Sequence, residues 1–177
     1  MANDLNKVLY KILKVEFIIA LISSLLTLSE IINTEYLLKI QILVALITAI
    51  YTDIAELNIY NINLITILVL NLSLTKYQAF IDIKAVIFIF LIYLIIYFIS
   101  RHAIGIGDIY LASILSLSFN LLDSFIFFSY TFIFAAAIAI VMMLFKKADR
   151  KTALPLIPFL TIAYYLTLYR FGGIYVF

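Results

Sequence analysis

The chain has no cysteine and a single histidine among its 177 residues. Those absences exclude disulfides, thiolate zinc sites, iron–sulfur clusters and cysteine nucleophiles, and leave too few imidazoles for a histidine-rich metal site. Charge is also scarce. Asp, Glu, Lys and Arg make up 12% of the sequence, against roughly 25% in an average soluble domain. The net charge of +2 is too small to imply nucleic acid as a partner. Tryptophan is missing, and no Gly/Ser-rich, Pro-rich or repeated stretch interrupts the chain. Neither a metal nor a cofactor is expected.

What the chain does contain is apolar: 67% of its residues are hydrophobic and its mean hydropathy is +1.21. This reads as an all-α polytopic membrane protein whose partner is the lipid bilayer. In residues 1–14, Leu5, Val8, Leu9, Ile12 and Leu13 follow helical spacing while Lys7, Lys11 and Lys14 fall on another face, so an amphipathic interfacial helix is expected there. The Leu-Thr-Leu-Ser-Glu that follows the first apolar run offers no small-x-small cleavage site, which argues against a secretory signal. Residues 15–177 read as one transmembrane domain. Its apolar runs, at 17–28, 36–51, 59–75, 83–100, 109–122, 125–145 and 154–169, give a bundle of about six to seven spans, several shorter than the ~20 residues that cross a hydrocarbon core.

Lysine and arginine concentrate in cytoplasmic loops, and here they set an orientation. With the N-terminus inside, one side holds Lys7, Lys11, Lys14, Arg101, Lys146, Lys147, Arg150 and Lys151, and the other holds Lys39, Lys76, Lys84 and Arg170. A multi-pass protein of a prokaryotic cytoplasmic membrane, N-terminus in and C-terminus out, is the expected topology. Asp53 then ends an inward-running span and Asp108 opens an outward-running one, so both carboxylates fall at the cytoplasmic face. They are 55 residues apart, and only tertiary packing can bring them together.

An acid at membrane depth is costly and points to a functional site. Two carboxylates within reach share a proton, and such a pair can activate water: one takes its proton while the other protonates the attacked carbonyl and then the leaving nitrogen. The plainer readings are that Asp108 is a helix cap and Asp53 marks a span end, or that both acids line an ion or proton path in a small membrane transporter component. His102 and Arg101 read first as interfacial anchors, and Asp149 as a loop charge.

Three separated pieces carry a resemblance. Gly105-Ile106-Gly107-Asp108 matches the GxGD motif of intramembrane aspartyl proteases, and its surroundings resemble the type IV prepilin peptidase and preflagellin peptidase family. Asp53-Ile54-Ala55-Glu56-Leu57-Asn58-Ile59-Tyr60-Asn61 resembles that family's first catalytic aspartate with its following Ile-Pro-Asn, Tyr60 replacing the proline. Tyr110 stands where a lysine is common. Leu156-Ile157-Pro158-Phe159-Leu160 resembles the proline element of the last helix, without its glycine. The likeness runs from about residue 36 to 177.

The resemblance implies a single-function endopeptidase with catalytic Asp53 and Asp108 and no cofactor. Its substrate would be a pilin-like or archaellin-like precursor, cut at the cytoplasmic face between a short basic leader and a hydrophobic helix. No segment of this cysteine-free chain fits the cytoplasmic methyltransferase domain of bifunctional members. Gly107 is expected to let the chain turn into the helix, and Gly105 to leave room for substrate beside Asp108. Glu56, one helical turn past Asp53, is a candidate contact for the basic leader. A presenilin-like protease is the weaker alternative, since Tyr51-Thr52-Asp53 is not that group's Tyr-Asp and Ala153-Leu154-Pro155 is not its Pro-Ala-Leu. The oligomeric state is not legible.

Overall fold

Long apolar runs without glycine or proline satisfy their backbone N–H and C=O groups most simply by becoming helices. The computed structural model describes residues 2–28, 35–75, 82–100, 104–145 and 154–171, and there the chain does so. The helices are α1 (Ala2–Leu28), α2 (Glu35–Glu56), α3 (Asn61–Leu74), α4 (Ile83–Ile99), α5 (Ile106–Leu115), α6 (Leu121–Leu144) and α7 (Ile157–Phe171), with a 3-10 turn at Ser116–Ser118 after α5. Residues 2–14 and the first apolar run, expected as separate segments, share the unbroken α1. Among the described residues the glycines, Gly105 and Gly107, and the prolines, Pro155 and Pro158, all fall at the starts of α5 and α7.

Among the described residues, α2 and α6 are the helices both long and apolar enough to cross a membrane by length and composition; α3, α4 and α5 are shorter apolar helices. Arg101, His102 and the basic stretch 146–151, which weighed most in the expected orientation, lie outside the described residues.

Side-chain contacts fix the relative directions. Thr48 of α2 donates to Glu16 of α1 (3.2 Å) and Gln41 of α2 to Ser23 of α1 (2.7 Å), so these helices run antiparallel. Asn63 of α3 donates to the same Thr48 (3.1 Å). On the other side, Phe88 pairs with Phe125 and Tyr93 with Phe128, which sets α4 parallel to α6. The starts of α4 and α6 meet at one carboxylate: Asp82 accepts from the amides of Lys84 (3.0 Å) and Leu121 (3.1 Å). The starts of α3, α5 and α7 gather at the opposite end.

The core joins Leu38, Ile42 and Leu46 of α2, Ile67 and Leu70 of α3, Ile89 of α4, Leu111 of α5, Phe127 of α6 and Leu160 of α7. Buried hydroxyls lie among them, mostly bonded to a carbonyl one turn back on their own helix, as in Thr66, Ser113, Thr131 and Thr167. A cross-helix polar contact sits deeper, where Asn71 of α3 accepts from Ser118 (2.7 Å) and from Tyr164 of α7 (3.1 Å). Helix α6 reverses the soluble pattern: it buries Ser124, Phe127 and Thr131 and turns Ile133, Ile138, Ile140 and Leu144 outward. An outer face of that kind calls for lipid or another apolar surface.

Candidate active site

Asp53 lies in the last turn of α2 and Asp108 in the first turn of α5, with 5% and 9% of their surfaces exposed. Each is tied to the start of a helix, where unpaired amides and the positive end of the dipole receive a carboxylate. Asp108 bonds to its own helix: Gly105 is the N-cap, its amide donates to Asp108 Oδ2 (3.2 Å), and its carbonyl accepts from the Asp108 amide (3.1 Å). Asp53 bonds across the fold, accepting from the Ile157 amide with Oδ2 at 3.0 Å, over 104 residues of sequence.

The proline element explains why Asp53 finds that amide. At the start of α7 the amides of Phe159 and Leu160 both reach the Leu156 carbonyl (3.1 Å each), and Pro158 has no N–H to satisfy. Ile157 is left as the unpaired donor of the turn, and Asp53 takes it. The charge on Asp53 acts on Asp108, so the two carboxylates share one electrostatic site. The neighbouring Leu156 amide also faces the Asp53 carboxylate.

The chain between Asp53 and α3 completes the wall. Leu57 ends α2 in the left-handed region at φ 49, with its amide on the Asp53 carbonyl (2.9 Å), and the backbone turns sharply there. Ile59 is buried and packs on Gly107: a Cβ built at Gly107 would meet Ile59 Cδ1 at 3.2 Å. Gly107 therefore lies inside α5 and serves close packing, not the turn expected of it. Gly105 adopts φ −71 and ψ 145, open to any residue. Its missing side chain leaves space for Asp108 itself, whose Oδ2 would lie 3.2 Å from an added Cβ.

Tyr60 precedes α3 at φ −74 and ψ 136, a backbone conformation that proline also adopts, which is why a tyrosine fits there. Its hydroxyl donates to Glu56 (3.1 Å), and this pair is exposed at the mouth of the site. Sequence reading had no means of finding the roles of Ile157 and Ile59, since both act through contacts between distant segments. The proline beside one and the motif around the other were the signals available.

The two carboxylates are thus each held on amides at the start of a helix, Asp53 at α7 and Asp108 at α5. The family model described as the type IV leader peptidase family matches residues 40–140, more than half of the chain and including both aspartates. No curated protein and no solved structure matches.

Proposed function

We propose that this chain, which belongs to the type IV leader peptidase family, is a membrane-embedded aspartyl endopeptidase that removes the short basic leader of a pilin-like or archaellin-like precursor. Family membership makes it a leader-type peptidase of a membrane-associated family. The observation that supports the mechanism is that Asp53 of α2 and Asp108 of α5 are both buried, held on helix-start amides, and within electrostatic reach of each other. Two such carboxylates hold one proton between them. The ionised partner draws a proton from water as it attacks the scissile carbonyl. The protonated partner donates to the carbonyl oxygen and, as the tetrahedral intermediate collapses, a proton passes to the leaving nitrogen.

The outward apolar faces of α6 and of the exposed α2 positions Ile40 and Ile47 support placement in a bilayer. In this reading the aspartates lie at the cytoplasmic face, where a basic leader remains. Glu56 stands exposed one turn beyond Asp53 and offers that leader a negative charge.

Asp53→Asn and Asp108→Asn, each co-expressed with a precursor carrying a Lys/Arg leader and an apolar helix, should lower cleavage by roughly 10²–10⁴-fold. Cleavage that survives both changes refutes the dyad. Glu56→Gln should slow a basic-leader precursor by about 2-fold, the scale of an exposed ion pair, and leave a neutral-leader precursor unaffected. Equal slowing of both would remove Glu56 from leader recognition.

A further inference from the structure

Helices α1, α2 and α3 meet along a polar seam that the aspartate pair does not use. It holds a cavity of about 190 Å³ whose polar lining is Glu16, Gln41 and Thr66, set among apolar side chains. Glu16 of α1 is partly buried there. Its described donor is Thr48 of α2, whose hydroxyl lies 3.2 Å from Glu16 Oε2 and 2.9 Å from the Ala45 carbonyl, so one proton serves two acceptors. No lysine or arginine pairs with Glu16 among the described residues.

The side-chain donors of the lining are already spent. The Gln41 amide donates to Ser23 of α1 at 2.7 Å, and the Thr66 hydroxyl to the Ile62 carbonyl at 2.7 Å. Gln41 Oε1 is enclosed and has no partner among the described residues. Beside Thr48, Asn63 of α3 is 1% exposed, gives its amide to the Thr48 hydroxyl (3.1 Å) and also leaves its Oδ1 without a partner among the described residues. Oxygen acceptors therefore outnumber protons on this seam, and one of them is a carboxylate. Such a surplus is costly inside a bundle unless something positive lies among the oxygens.

We propose that this seam binds a monovalent metal cation, Na⁺ or K⁺, through the Glu16 carboxylate, Gln41 Oε1 and the free lone pairs of Thr66 Oγ1, with water completing the shell. Hard cations take oxygen ligands, and one carboxylate among neutral oxygens balances one positive charge. The cavity has room for the ion and about five waters at roughly 30 Å³ each. Bound there, the ion ties α1 to α3 and to α2, the helix whose last turn carries Asp53. No metal was expected from the sequence, since these oxygens come from single residues on three helices. Glu16 also lies outside the stretch that the leader peptidase model matches, and the site stands or falls independently of the dyad.

Thermal unfolding of the full chain in detergent tests this, with ionic strength held constant by choline chloride. Raising Na⁺ or K⁺ from about 1 mM to about 100 mM should raise the unfolding temperature by roughly 4 °C, the shift for a site of about 10 mM affinity in a chain of this size. The ion with the larger effect is the one the site selects. Glu16→Gln removes the charge and keeps the shape, and should abolish the shift. Gln41→Leu removes one ligand, and should need severalfold more of the ion for the same rise. Glu56→Gln removes an exposed acid elsewhere and should keep the full response. No rise with either ion overturns the proposal and leaves the cavity to water. A parental response in both Glu16→Gln and Gln41→Leu overturns it as well, because the ion would then bind elsewhere. If Glu16→Gln does not fold, Gln41→Leu decides alone, and a parental response in it removes the site. Cleavage is not measured, so the outcome is separate from that of the Asp53 and Asp108 variants.

Discussion

Gly105 and Gly107 are two residues apart, and their hydrogens face different neighbours. At Gly105 a side chain would press on Asp108 Oδ2, the oxygen held by the Gly105 amide. That bond would lengthen and the carboxylate would shift. Since misplacement of a reacting group by about 1 Å costs up to ~10²-fold, Gly105→Ala should lower kcat by about tenfold and Gly105→Val by more, both with the fold retained. A Gly105→Val enzyme at parental rate would show that Asp108 does not need the space. At Gly107 the obstacle is Ile59, with Cδ1 at 3.2 Å and two further carbons at 3.5 Å from an added Cβ. Gly107→Ala should therefore be impaired, and Ile59→Val, which deletes Cδ1, should restore part of the loss. The coupling in a double-mutant cycle should be about 0.5–1 kcal/mol, within the range for residues in contact. Additive effects would mean that the two residues do not press on each other. The GxGD spacing was legible from residues 105–108 alone. The reason for each glycine was not, because it depends on an isoleucine 48 residues earlier and on a carboxylate that folds back on its own N-cap.

Among the elements, α4 and α6 depend on Asp82 at the end of the bundle away from the aspartate pair. Its two oxygens cap both helices, one on the Lys84 amide and one on the Leu121 amide. Helix α6 also has its own cap, Asn120 on the Asp123 amide (2.9 Å). Loss of a capping carboxylate costs about 1 kcal/mol, so Asp82→Ala should lower stability by about that amount, measured by thermal unfolding in detergent, and leave kcat/KM unchanged. A loss of activity without a loss of stability would mean that this end communicates with the site. The helical class was readable because every run between residues 35 and 145 outside 105–107 lacks glycine and proline. The joint end of α2, α5 and α7 was harder to read. The Leu-Ile-Pro element was visible as a motif, yet its amide on Asp53 follows from α7 packing against α2, a register that no local pattern encodes.

For the whole molecule, the orientation in the membrane decides which compartment the site serves. The positions that mark its two ends are Glu56, beside the aspartate pair, and Leu122, at the Asp82 end and 77% exposed. A leader peptidase that meets a basic leader before its precursor's hydrophobic helix needs the Glu56 end inside the cell. The distribution of lysine and arginine argues the same way, with Lys11 and Lys14 of α1 towards that end and Lys84 of α4 at the other. Because the chain contains no cysteine, one introduced thiol is a clean reporter. In intact cells a membrane-impermeant maleimide should label Leu122→Cys and spare Glu56→Cys, which should react only after the membrane is opened. The reverse pattern would put Asp53 and Asp108 on the outer face, where the leader is absent. Cytoplasmic leader removal would then be untenable even if both aspartates proved essential, because the site would meet its substrate from the wrong side of the bilayer.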